Sequence, residues 1–333
     1  MKDCSYVCDA GAGRESERGS STYTILGILI IVVVVITAIF VFPWKEALKG
    51  RVDPNLTAAD AAMANKQWHT ALVLYDKCVK TDPTNTAAYL GRSRANLQLG
   101  DLQKALADAN ATIQRRSDSA AAFGQRGIVN KILQKNEEAL KDFSQAVRLD
   151  PKYAWAYAQM ADIHSRKQDQ EQALQEITKA LQAKPSFVEG YRLRAWILSR
   201  MGKCRDAGED FKMVETLSPN DAWSLQDKAW FLLTCPDETQ QDSSKAMELA
   251  KKALELTQGK DGVVQETLAE AYFRQGDPVK AVEHQKKAIE LGSRNCLDGS
   301  CVQEMAQRLQ KYEMAARPEV RNAYEILPLD SSR

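Results

Sequence analysis

The sequence predicts an all-α solenoid of antiparallel helix pairs, preceded by one transmembrane helix, and three observations carry that prediction. First, Ala71, Ala105, Ala139, Ala173 and Ala207 recur at a fixed interval of 34 residues. Second, other columns keep step: Tyr89, Phe123, Tyr157 and Tyr191; Ser93, Gly127, Ala161, Ala195 and Ala229; Tyr75, Ala109, Phe143, Ile177 and Phe211. Third, Ile25 to Phe42 is an uncharged apolar run. A long fixed period means stacked supersecondary units, each too small to bury its own apolar face.

From the N-terminus, residues 1–22 are glycine- and serine-rich and read as a disordered tail. Residues 23–43 read as the membrane helix. The apolar run of 18 residues spans about 27 Å as a helix, close to the hydrocarbon core, with Tyr23 and Trp44 at its flanks. No small-residue cleavage site ends the run, and Cys4 and Cys8 precede it instead of following as in a lipoprotein signal. Orientation is a tie by charge: Lys2, Arg14 and Arg18 stand before the segment, and Lys45, Lys49 and Arg51 after it. Residues 44–53 form a tether.

Within one unit, Phe123, Gly127 and Asn130 step through a first helix, and Ala139, Phe143 and Ala146 through a second. Gln134 to Asn136 interrupt the pattern, and Asp150-Pro151 ends it, because the residue before proline is pushed out of the helical region. Pro83, Pro151, Pro185 and Pro219 repeat that stop, with Ser117 in the one gap. Small residues let paired helices approach, and aromatics fill the space between units.

These columns resemble the tetratricopeptide repeat, which places a large residue, a small residue, alanine, an aromatic, alanine and proline in this order over 34 residues. By that register the repeats start near Val52, Thr86, Ala120, Ala154, Val188, Ala222 and Gly262, filling residues 54–292 with seven units of a right-handed solenoid. The sixth carries a five-residue insertion, polar and turn-rich, between Thr234 and Ser244. The Cys235-Pro236-Asp237 turn and the stretch from Glu266 to Asp277 look like the terminal repeats of many bacterial members. Residues 302–316, with Met305, Leu309, Tyr312 and Met314, read as a closing helix, and 317–333 as a loose tail.

The resemblance implies a protein or extended-peptide partner bound in a concave groove, at the second, fifth, ninth, twelfth and thirteenth positions of each repeat. Those positions collect Arg94, Trp155, Asp162, Arg166, Arg192, Trp196 and Arg200, with Trp223 and Trp230 following. Arginine and tryptophan dominate binding hot spots, although Trp230 stands in a column that often holds a packing residue. Leu56 and Asp60 depart from the Lys and Asn pairs that clamp a terminal carboxylate, which disfavours a chaperone-tail receptor. The alternative is an assembly factor that self-associates or bridges an envelope complex through its convex face.

Composition excludes other classes. Lys and Arg total 45 against 44 acidic residues, so no field attracts nucleic acid. His69, His164 and His284 fall in separate repeats without metal-ligand spacing, and no phosphate loop or nucleophile elbow appears. The expectation is a non-catalytic chain with no cofactor, no metal and no small-molecule substrate. Among seven cysteines, Cys78 sits in an interior column, while Cys204 with Cys235 and Cys296 with Cys301 are plausible pairs. Unrelated reduced thiols are the open alternative, since spacing does not establish a disulfide. Paired cysteines would lean the solenoid toward the non-cytoplasmic side.

Overall fold

The computed structural model describes residues 53–292 and 300–317. The proposed membrane helix and Cys296 lie outside them, and the side chain of Cys301 is not described. Among the described residues no helix is long and apolar enough to cross a membrane.

All regular structure described is helical, and consecutive helices pair antiparallel through tight turns. In chain order these are α1 (Pro54–Ala64) paired with α2 (Trp68–Thr81), then α3 (Thr86–Gln98) and α4 (Leu102–Arg115), then α5 (Ala120–Ile132) paired with α6 (Asn136–Leu149), and α7 (Ala154–Arg166) paired with α8 (Gln170–Ala183). Then come α9 (Val188–Arg200) with α10 (Cys204–Leu217), α11 (Ala222–Thr234) with α12 (Ser243–Leu256), and α13 (Gly262–Arg274) with α14 (Pro278–Leu291). Helix α15 (Ser300–Ala315) follows. A short 3₁₀ turn, Glu238–Gln240, takes up the insertion of the sixth unit. The fold is an all-α solenoid.

The described residues divide into two compact units, one up to Ala95 and the other from Asn96. In the first, Ala59, Ala62, Ala71, Tyr75 and Ala95 form the core. Tyr75 Oη donates to Asp60 at 2.6 Å, and its ring lies 2.3 Å from where a Cβ on Gly91 would sit, so only glycine lets α3 approach α2 this closely. Cys78 is a buried free thiol, pushed up to about 11 by burial and by its bond to Asp53.

The second unit repeats one packing scheme. Phe143 is fully buried among Ala139, Ala146, Ala156, Met160 and Ile163, so the second helix of one repeat fills space against the first helix of the next. Burying such a ring contributes about 2–3 kcal/mol. A Cβ on Gly127 would fall 2.7 Å from that ring, which gives the small-residue column its steric meaning. Helices start on side-chain caps: Asp101, Ser119, Asp169, Asp221, Asp242, Asp261 and Asp277 each accept from a backbone N–H of the first turn.

Buried acids form a polar column at the same interval. Asp108, Asp142, Glu176 and Asp210 are all at most 5 % exposed. Arg126 forks Asp142 through Nε at 3.0 Å and Nη2 at 2.6 Å, and Arg194 forks Asp210 at 2.8 and 2.6 Å. Asn130 adds a bond to Asp142 at 2.9 Å, and Asn96 one to Asp108 at 3.3 Å. These bonds tie paired helices together in one register.

Candidate functional site

The groove positions of the fourth and fifth repeats lie on α7 and α9, and the structure treats the expected residues differently. Trp155 is half-buried, stacked on Tyr153 at 5.9 Å and edge-on to Phe143 at 5.9 Å. It is a wall, not a free arm. Asp162 accepts from Lys131 Nζ at 2.6 Å and Arg166 Nε at 3.0 Å, which joins α5 to α7. Arg192, expected to reach for an acidic ligand, is instead held by Asp227 of α11 at 2.6 Å. Holding it there serves the joint between repeats.

Trp196 and Arg200 stand apart from this bracing. Trp196 is 42 % exposed, far more than a packing tryptophan, and the Arg200 guanidinium lies over its ring at 4.8 Å. Stacking leaves the guanidinium edges open to a carboxylate while the indole face covers apolar atoms. Trp223 on α11 is likewise 45 % exposed. Arg94 is exposed on α3, in the first unit.

Between α5, α7 and α9 the same face sinks into a cleft of about 700 Å³. Trp155, Tyr153, Phe187 and Leu193 make its apolar walls, and lysines 131, 152 and 184 stand at its rim with Asp162 and Glu189. A volume of this size takes a drug-sized ligand or several neighbouring side chains of a peptide. Sequence reasoning missed most of this lining. Lys131 occupies the twelfth position of the third repeat and was legible from the register. Phe187, Lys152 and Lys184 lie in loops or at helix ends, outside the five groove positions.

The far end of the second unit is already covered. Helix α15 sends Arg308 to Glu266 and over the Trp230 ring at 5.0 Å, while Tyr312 Oη donates to Glu270 at 2.6 Å and its ring packs on Phe273 at 4.9 Å. Glu266, Glu270 and Phe273 hold the fifth, ninth and twelfth positions of the seventh repeat. Burial pushes the Glu266 carboxyl up, against the pull of Arg308. Trp230 is a packing residue beneath Arg308.

Cys204, at the start of α10, and Cys235, just past α11, lie side by side with Cα atoms 6.3 Å apart, within the reach of a disulfide. Both are buried against Phe211 and Phe231.

Family models described as tetratricopeptide repeat match residues 56–122 and 156–187, and one described as TPR repeat matches 131–168. Among solved structures, the chain resembles a tetratricopeptide repeat protein from Parabacteroides merdae, with a TM-score of 0.59 at 15% identity, covering 78% of this chain and 97% of that one. It also resembles the Cut9-Hcn1 hetero-tetramer of the APC/C, with a TM-score of 0.59 at 18% identity over 83% of this chain and 52% of the other. The pilF protein of Pseudomonas aeruginosa gives 0.55 at 16% identity, over 66% and 96%. At these identities the likeness concerns the fold.

Proposed function

From a chain built of tetratricopeptide repeats, we propose a non-catalytic, membrane-anchored adaptor that holds a protein or extended peptide against the first-helix face of its fourth to sixth repeats. The observation that carries this reading is the Trp196–Arg200 pair: a large aromatic, 42 % exposed, under an arginine that meets no carboxylate among the described residues. Desolvating such a side chain against a partner is favourable, and leaving it in water has no packing use. A structural neighbour is a hetero-tetramer built with a second protein, which is consistent with a binding role. The anchor rests on the apolar run from Ile25 to Phe42. On this proposal the repeats face the non-cytoplasmic side, a reading supported by the proximity of Cys204 and Cys235, whose bridge would persist there.

A photo-crosslinking amino acid at position 196, compared with one at the exposed Glu209 of α10, tests this in native membranes. A discrete adduct from position 196 that disappears with Arg200→Ala is the expected result. Adducts from position 209 alone, or from neither, would overturn the groove as the binding face.

A further inference from the structure

The cleft between α5, α7 and α9 carries information about what it accepts. Its walls are apolar: Trp155, Phe187 and Leu193 face an opening of about 700 Å³. Its rim is unevenly charged. Of the two carboxylates there, Asp162 is already shared between Lys131 and Arg166. Lys152 and Lys184 are exposed, and neither meets a carboxylate within ion-pair distance among the described residues, while Lys184 Nζ sits 5.6 Å over the Phe187 ring. Glu189 is the one exposed rim acid without an ion pair among the described residues. Arg200, the next exposed cation along α9, adds to the same sign.

An apolar hole flanked by unneutralised cations is complementary to a bulky apolar side chain flanked by acids. Resting on the groove reading above, we infer that this cleft is the anchor site for an acidic extended segment of a partner protein. One aromatic or long aliphatic side chain enters the hole between Trp155 and Phe187. Carboxylates on either side pair with Lys152 and Lys184, and a further one reaches Arg200. The segment is recognised internally, since the lysines are spread along the rim and do not converge on one terminal carboxylate. A basic or polyproline segment would leave these cations unpaired or repelled.

The test is selection of a random dodecapeptide display library on the full-length protein in detergent micelles, followed by fluorescence polarisation with the selected peptides, blocked at both ends. Expected binders carry one Phe, Leu, Met or Trp with Asp or Glu on both sides. Lys152→Glu with Lys184→Glu should weaken them at least tenfold, and raised salt should weaken them on wild type. Both lysines are exposed, so that variant is expected to fold, which its helical signal checks. Ala158→Trp, which puts an indole into the cleft, should abolish binding. Binders that are basic or uncharged, or acidic binders indifferent to the double reversal, would overturn the inference. If such peptides still respond to Trp196→Ala with Arg200→Ala, the groove reading stands and the cleft assignment alone falls. Peptides indifferent to every groove variant, or no binders at all, would overturn both.

Discussion

Asp142 and Glu176 share one column of the repeat but are satisfied differently, and the cause is a single residue on the partner helix. Arg92, Arg126 and Arg194 fall on one 34-residue series whose missing member is Met160. Asp142 therefore receives a forked guanidinium, whereas Glu176 binds Gln172 at 3.0 Å and Lys179 at 2.9 Å through Oε1, and its Oε2 has no donor among the described residues. Removing one partner of a buried pair costs far more than trimming a half-satisfied group. Asp142→Ala should lower the urea stability by about 3 kcal/mol, because Arg126 keeps only Asn110. Glu176→Gln should cost under about 1 kcal/mol. Equal losses in the two variants would show that the fork adds nothing beyond burial. This column was readable in the sequence, since the acids at 108, 142, 176 and 210 keep the period of the alanines and the arginines keep it with one gap. The cleft was less legible, because Trp155 meets Phe187 only once two repeats stack.

At the scale of the helix pair, the turn sets the geometry, and in most of the described repeats the same turn residue holds a positive φ. Gly100, Gly202 and Gly276 hold φ of 80°, 73° and 81°, and Gln134 and Gln168 hold 61° and 65° at equivalent positions. A side chain in that region costs about 1–2 kcal/mol, partly offset by the flexibility that glycine restores to the unfolded chain. Gln134→Gly and Gln168→Gly should each stabilise by roughly 0.5–1 kcal/mol in chemical denaturation. A loss in either variant would mean that the glutamine makes a compensating contact. The helices were legible as elements because their spacing, stops and caps are local properties. The role of α15 was legible only as a closing helix, since its covering of Glu266 and Glu270 depends on a distant approach. The adjoining pair carries a pH response. His284 on α14 lies 2.7 Å from Gln265 and stacks on Tyr272 at 5.1 Å, and burial lowers its pKa below 6.5, helped by Lys287 and Lys280 and opposed by Glu283. The folded state therefore binds this proton less readily than the unfolded chain does. Its contribution is complete above the unfolded value and is lost as pH falls through 6.5 toward the lower folded value. The denaturation midpoint should drop across that window in wild type and less in His284→Gln. Identical slopes would remove His284 from the response.

At the scale of the whole molecule, the fold class follows from repetition, whereas the compartment does not, because neither stacking nor caps depend on which side of a membrane they face. The cysteines do depend on it. The proposed Cys204–Cys235 bridge joins α10 to the end of α11 and encloses the joint between the fifth and sixth repeats, where Gln241 bonds the Cys235 carbonyl at 2.7 Å. A crosslink over a separation of 31 residues contributes about 3–4 kcal/mol by restricting the unfolded chain. Repeat arrays are stabilised through nearest-neighbour joints, so the loss should be felt first in the repeats on either side. Protein extracted from native membranes under alkylation should yield a Cys204–Cys235 linked peptide by mass spectrometry. An epitope tag after Arg333 should be degraded by protease added to the non-cytoplasmic side of oriented vesicles. Cys204→Ser should then lower the midpoint of unfolding under non-reducing conditions, and added reductant should bring wild type down to the variant. The two readouts are coupled, since glutathione and thioredoxin keep cytosolic thiols reduced. A protected tag together with alkylated, unlinked cysteines would place the repeats in the cytoplasm and overturn both the bridge and the proposed orientation.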